Sequence, residues 1–247
     1  MKKVLILNKK EGETPLEALE SFRVKNKLYK NSSMTYAGRL DPMASGLLII
    51  LVDEEIKNKE EYLNLNKEYE FRILFGFSTD TYDILGKVLE SKKNVLSKKL
   101  LEKEINRNLK FFIGNFIQEY PVYSSKTVDG RQLFSYARAN EEVEVPKREV
   151  KVENLKLLKI RKIKSTKLFK NIKSRVLKVN GDFRQKEILK VWQKEINRKS
   201  FYYIANFKIN CSGGTYVRGI ANSLGNKLKI PALAFSIKRT KIGKFVL

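Results

Sequence analysis

Three short stretches hold the side chains that could do chemistry. "MTYAGRLDPMASGLLIILV", from Met34 to Val52, puts a single acid, Asp41, in a turn-like segment before a wholly apolar run. Arg39 stands two residues before it and Pro42 directly after it. "KEYEF" carries Tyr69, and "GGTYVRG" carries Thr215, Tyr216 and Arg218. A carboxylate can attack an electrophilic carbon or take a proton. A phenol can stack or move a proton, and a guanidinium can hold a carboxylate in place. Each stretch also has a plainer reading. Asp before Pro forms turns, Tyr69 fits a core position, and Thr215 fits a helix N-cap. Residue types and spacing alone leave both readings open.

The chain of 247 residues has no histidine and one cysteine, Cys211. Without histidine there is no imidazole catalysis, no Ser-His-Asp hydrolysis and almost no zinc-site pattern. A lone cysteine forms no intrachain disulfide, which fits a reducing, cytoplasmic setting. The short apolar stretch near the start is no signal peptide, and no run reaches membrane-spanning length. Lys and Arg number 51 against 27 Asp and Glu, a net charge of +24. Such a charge points to an acidic polymer, first of all RNA or DNA, unless the lysines only solvate the surface. The 42% hydrophobic content is enough for a real core.

Positioning those residues requires rigid elements on either side. "KKVLILNK" reads as a strand. "TPLEALESFRVKNKL" reads as a helix with Thr14 as N-cap, Pro15 in its first position and Glu17 completing a capping box. Leu16, Leu19 and Phe22 would form its apolar stripe. "GLLIILV" lacks polar alternation and reads as a strand covered on both faces. In "KEYEFRILFGF", Tyr69, Phe71, Ile73 and Phe75 share one face, and Glu70 and Arg72 the other. "STDTYDILG" reads as a polar turn, "SKKLLEKEINRNL" as an amphipathic helix, "FFIGNFIQEYPVYSSK" as strand then loop, and "RQLFSYARAN" as a short helix. From Lys147 to Lys199 basic and apolar residues alternate. This is either an amphipathic strand or hairpin with a solvated lysine face, or a basic arm along a phosphate backbone. "FYYIANFKINCSGGTYVRGIANSLGNKL" reads as strand, glycine turn and helix, and "PALAFSIKRTKIGKFVL" as a last strand pair. No linker interrupts the chain, so one mixed α/β domain over residues 1–247 is expected.

Taken together, the stretches resemble a known family. "AGRLDPMASGLL" closely resembles the nucleophile motif of the TruB-type tRNA pseudouridine synthases, G-x-L-D-P-x-A-[ST]-G, at Gly38, Leu40, Asp41, Pro42, Ala44, Ser45 and Gly46. "KEYEFRILFGFSTDTYDILG" resembles that family's K-x-Y strand and T-D-T-x-D-x-x-G turn. "IGNFIQEYPVYSSKTVDGRQLFSYAR" is similar to its proline-containing loop and helix, "CSGGTYVRGIANSLG" to its G-T-Y-[IV]-R motif, and "SIKRTKIG" to its near-terminal L-R-R-T-x-x-G. The motifs occur in the family's order and span most of the chain.

The resemblance implies an α/β (α+β) catalytic fold on a mixed, largely antiparallel central sheet, its site in a basic cleft. It implies isomerisation of uridine-55 in the T-loop of tRNA, by a monomer without cofactor or metal. By resemblance Asp41 is the nucleophile, Arg218 its ion-pair partner, and Tyr69 stacks on the flipped base with a further role in moving the C5 proton. Tyr216 and Ile237 would line the pocket, and Lys67 and Lys126 would contact phosphates. Tyr36 stands where the family carries a histidine thought to open the RNA loop. Ile237 and Lys238 replace a leucine and an arginine. Whether Asp41 attacks C1′ or removes a proton at C2′ stays open. Many members continue into a C-terminal PUA domain, which is not expected here. The basic insertion, at about residues 147–200, is expected to replace part of that RNA-binding surface. The alternative from another class is a non-catalytic tRNA chaperone on the same scaffold.

Overall fold

Alternating apolar residues make most of the strands, and side-chain caps from Thr14 and Ser97 start two of the helices between them. The structure is a computed structural model that describes residues 2–92, 96–196 and 200–247. In chain order its elements are β1 (Val4–Lys9), α1 (Pro15–Lys25), β2 (Met34–Ala37), β3 (Ala44–Val52), α2 (Lys59–Asn64), β4 (Lys67–Phe75), β5 (Phe77–Thr79) and β6 (Val88–Ser91). Then come α3 (Lys98–Leu109), β7 (Gly114–Glu119), β8 (Thr127–Val128), β9 (Arg131–Gln132), α4 (Leu133–Ala139) and β10 (Lys147–Lys164). The rest is α5 (Ser165–Val176), α6 (Gln185–Glu195), β11 (Phe201–Cys211), α7 (Val217–Leu228), β12 (Ala232–Ile242) and β13 (Phe245–Val246).

The main sheet runs β1-β3-β12-β4-β11-β10-β7, with β2 added on β3 and β13 on β12. Its strand pairs are antiparallel except β3 with β12. That parallel contact sets Ile237 opposite Ala44 and Arg239 opposite Gly46. Gly46 has φ +106°, and a Cβ there would lie 2.2 Å from the Arg239 carbonyl oxygen. Only glycine lets the two strands close at this point. Gly46 therefore acts within β3, rather than in the Asp41 loop itself. β4 is central: Tyr69 pairs with Ile209 on β11 and with Arg239 on β12.

Helices cover both faces. Leu101 and Ile105 of α3, with Ile220 and Leu224 of α7, pack against the Tyr69–Phe71–Ile73–Phe75 face of β4. Leu168, Ile172 and Val176 of α5, with Ile188 and Trp192 of α6, pack with Leu74, Ile204 and Leu233 of the opposite face. The Trp192 indole also donates to the Gly86 carbonyl at 3.2 Å, which ties α6 to the β5–β6 turn.

Two expectations change. In α1 the capping box is present, Thr14 Oγ1 accepting from the Glu17 N–H and Glu17 Oε2 from the Thr14 N–H. Leu16, however, is 57% exposed, and Pro15, Ala18 and Leu19 are the buried residues. The helix packs through Pro15, Ala18 and Leu19, and Leu16 lines a cleft instead. The basic segment begins as the expected amphipathic strand with exposed lysines, but it is neither one hairpin nor a free arm. β10 is an 18-residue strand, shifted in register near Val152–Asn154 and Leu157–Lys159, that pairs with both β11 and β7. Beyond it the apolar residues Leu168, Ile172 and Val176 recur four apart, so the chain turns into helix. Residues 197–199 of that segment lie outside the described residues. Among the described residues no helix is long and apolar enough to cross a membrane.

Candidate active site

Asp41 sits in the turn between β2 and β3. The turn closes through the Ala44 N–H on the Asp41 carbonyl at 2.9 Å, and the Gly12 N–H bonds the Pro42 carbonyl at 2.8 Å. From below, the buried Arg239 donates from Nε to the Leu47 carbonyl at 2.8 Å and from Nη2 to the Gly38 carbonyl at 3.0 Å. One guanidinium thus ties the residues before Asp41 to the strand after it. Nothing local in "SIKRTKIG" reveals which backbone Arg239 reaches.

Arg218 stands in the first turn of α7 with its side chain 3% exposed. Its Nε donates to Asp41 Oδ2 at 2.8 Å, and Nη2 reaches Oδ1 at 3.5 Å. Nη1 donates to the Thr81 carbonyl at 2.8 Å and Nη2 to the Tyr123 carbonyl at 2.9 Å. Burial works against its charge, but the carboxylates of Asp41 and Asp83 outweigh burial and raise its pKa. The guanidinium therefore fixes Asp41 and pins two other loops beside it. Asp41 keeps 36% of its side chain open to the cleft.

The turn before α7 differs from a Thr215 N-cap. The Thr215 hydroxyl donates back to the Ser212 carbonyl at 3.0 Å, and the N-cap position belongs to Tyr216. Gln118 of β7 brackets Tyr216: Oε1 accepts from its N–H at 2.8 Å, and Nε2 donates to its carbonyl at 3.0 Å. The Tyr216 ring meets Tyr120 edge-on, centroids 5.6 Å apart, and lies 5.5 Å from the Arg218 guanidinium.

Asp41, Arg218, Tyr69, Tyr216, Ile237 and Tyr36 all line one cleft of about 800 Å³. Tyr69 is buried at its floor, and burial pushes its phenol pKa up. An open carboxylate, held by a buried guanidinium beside a flat aromatic wall, suits attack or proton removal at a sugar carbon whose base has left its stack.

Residues 26–176 match the model of the TruB family pseudouridylate synthase N-terminal domain. The chain belongs to the TruB family. It is 33% identical over 242 residues to tRNA pseudouridine synthase B of Ligilactobacillus salivarius, covering 98% of this chain and 68% of that protein. It is 30% identical to tRNA pseudouridine synthase B of Clostridium tetani, covering 93% of this chain and 65% of that one. The chain thus spans about two thirds of the length of these relatives. Its fold is shared with a chain in the crystal structure of a Cbf5-Nop10-Gar1 complex, at a TM-score of 0.58 and 18% identity, covering 98% of this chain and 49% of that one.

Within this TruB-family cleft, two expected phosphate contacts look different. Lys67 is buried, and its Nζ donates to the carbonyls of Leu63 at 2.5 Å, Leu65 at 2.6 Å and Tyr62 at 3.5 Å. Burial lowers its pKa to about 8. Its donors hold the end of α2, so none is left for a phosphate. The period-2 pattern of β4 puts Lys67 on the inner face with Tyr69, which a reading of charge alone overlooks. Lys126 is exposed outside the cleft lining, with Nζ 5.6 Å from the Tyr120 ring centroid. Arg39 is exposed on the cleft wall and does not pair with Asp41.

A second carboxylate stands close by. The polar turn "STDTYDILG" is largely buried, and Asp83 Oδ1 accepts from Thr81 Oγ1 and from the Leu85 N–H, each at 2.8 Å. Burial raises the Asp83 pKa to about 6, with Arg218 opposing the rise and Asp41 adding to it. The folded form then holds a proton that the unfolded chain has already lost between about pH 4 and 6. Stability from this group is full below that window and falls as pH rises through it. Urea titrations at pH 4, 5, 6 and 7 should show that fall in the wild type and a flatter profile in Asp83→Asn. Parallel profiles would remove Asp83 as its source.

Proposed function

We propose that the chain isomerises uridine-55 in the T-loop of tRNA to pseudouridine. The observation that carries this reading is the Asp41–Arg218 pair, open to the cleft beside Tyr69, in a chain of the TruB family. The relatives' name, tRNA pseudouridine synthase B, supports tRNA as the substrate class.

The target uridine leaves its stack, at a cost of about a few kcal/mol, and enters the cleft. Tyr69 offers its ring to the freed base. A phenol is neutral near pH 7 at its ordinary pKa, and burial shifts Tyr69 further in that direction, which suits a stacking surface. The N1–C1′ bond breaks, and Asp41 either bonds C1′ or removes a proton at C2′. The base turns, C5 bonds C1′, and the proton on C5 is lost as N1 gains one. No electrons leave the substrate. Arg218 holds Asp41 Oδ2 at 2.8 Å and reaches Oδ1 only at 3.5 Å, so Oδ1 is the less engaged oxygen and the one offered to the sugar. Tyr216 and Ile237 close the walls, and Tyr36 is the aromatic group at the cleft that meets the loop being opened. The exposed lysines of β10 and α5 widen the positive surface beyond the cleft.

The test is incubation with an unmodified tRNA transcript, followed by mapping of pseudouridine. Conversion at position 55 is the expected result. Conversion at another uridine keeps the chemistry and moves the target. Tight binding and accelerated tRNA folding without conversion would replace the enzyme by a chaperone.

A further inference from the structure

Most basic side chains at the cleft are already committed to the protein. Arg218 is bound to Asp41 and two carbonyls, Arg239 to two carbonyls and Lys67 to three. Arg184 bonds Asp80 at 2.8 Å and the Tyr123 hydroxyl at 2.7 Å, and Arg138 bonds the Asp182 carbonyl at 2.9 Å. Two guanidiniums in the lining remain. Among the described residues neither Arg39 nor Arg148 makes a hydrogen bond or an ion pair.

Arg148 lies on β10 opposite Gln118, the residue that brackets Tyr216. Its guanidinium rests on the glycine turn before α7, where a Cβ on Gly214 would stand 1.9 Å from Nη1. Its Nε is buried with no partner. Its charge adds to that of Arg239 in lowering the Lys67 pKa, behind the larger effect of burial. A half-buried guanidinium with unused donors among other cations is unfavourable until an anion arrives. Arg39 stands two residues before Asp41 on the same cleft. A planar fork of donors matches a phosphodiester in two-point contact.

We propose that Arg39 and Arg148 form a phosphate-binding pair that holds the RNA backbone carrying the target uridine. The pair positions the strand so that the sugar meets Asp41, and it does not touch the reacting bonds. This inference rests on the function proposed above, and binding can be measured apart from turnover.

The experiment compares Arg39→Ala, Arg148→Ala and the double variant for KM, kcat and the salt dependence of tRNA binding. Binding is measured on an Asp41→Asn background with unmodified tRNA. Each single change should raise KM about tenfold and alter kcat far less. Each should reduce the slope of log affinity against log salt by about 0.7–0.9, and the double variant by about twice that. Lys99→Ala, an exposed change on α3 outside the cleft lining, measures what diffuse charge contributes. Arg148→Lys keeps a point charge without the fork. It should retain most of the salt slope with a raised KM, and it serves where Arg148→Ala does not fold. Unchanged slopes, or an equal loss in Lys99→Ala, would overturn the pair. A salt slope that falls in a protein making no pseudouridine would keep the pair and reject the reaction.

Discussion

Asp41→Asn is expected to lower pseudouridine formation by about 10⁴-fold or more while tRNA binding survives. The substitution keeps the shape of the side chain and removes its negative charge. An amide neither attacks C1′ nor takes a proton from C2′, so both routes stop together. The cleft walls and the loops pinned by Arg218 stay in place, because Arg218 also holds the Thr81 and Tyr123 carbonyls. The buried guanidinium does lose its carboxylate, which costs some stability. That loss is moderate, since Asp41 is partly solvated already. Single-turnover rates with excess enzyme give the chemical step, and filter binding gives affinity. Conversion within about tenfold of wild type would end the assignment of Asp41 to the chemistry.

Arg218→Lys is expected to damage both rate and stability, even though the charge is kept. A lysine ammonium cannot span Asp41, Thr81 and Tyr123 from one plane. At least one buried carbonyl would lose its donor, and Asp41 would lose its fixed orientation. We expect kcat to fall by about 10²–10³-fold and stability by about 3 kcal/mol. For a chain of this length that is a drop in Tm of about 6–12 °C. Urea melts and rate measurements at a temperature where the variant is folded separate the two effects. A variant with wild-type kcat would show that Arg218 holds the fold but does not position Asp41. Arg218→Met should be worse in both, because it leaves the Asp41 charge with no cation beside it.

The strands of this chain were largely legible because their signals are local. β4 alternates with period 2, and that alone sets Tyr69, Phe71, Ile73 and Phe75 on one buried face. Thr14, Pro15 and Glu17 mark the start of α1, and their hydrogen bonds span three residues. The basic segment was harder. Lysine stays exposed on a strand and on a helix alike, so its positions do not separate the two. Only the apolar spacing changes, from two or three at Val150, Val152, Leu155 and Leu157 of β10 to four at Leu168, Ile172 and Val176. Leu16 misled for a related reason: a helix repeat shows which residues share a side, but not where the partner surface ends.

The site divides along the same line. Residue types and spacing offered Asp41, Tyr69 and Arg218 as candidates without separating chemistry from structure, and only the family that their motifs resemble gave them roles. Nothing in the spacing joined Asp41 to a guanidinium 177 residues away. That contact depends on β3 meeting β12 in parallel at Gly46, on β12 pairing with β4, and on α7 lying over β4. Tertiary structure alone decided that Lys67 turns inward to three carbonyls, that Asp83 is buried beside the ion pair, and that Arg39 and Arg148 stay uncommitted. The physical reason is range. Periodicity, caps and turns act over about a dozen residues, whereas hydrogen-bond partners and burial depend on which distant backbone the register brings alongside.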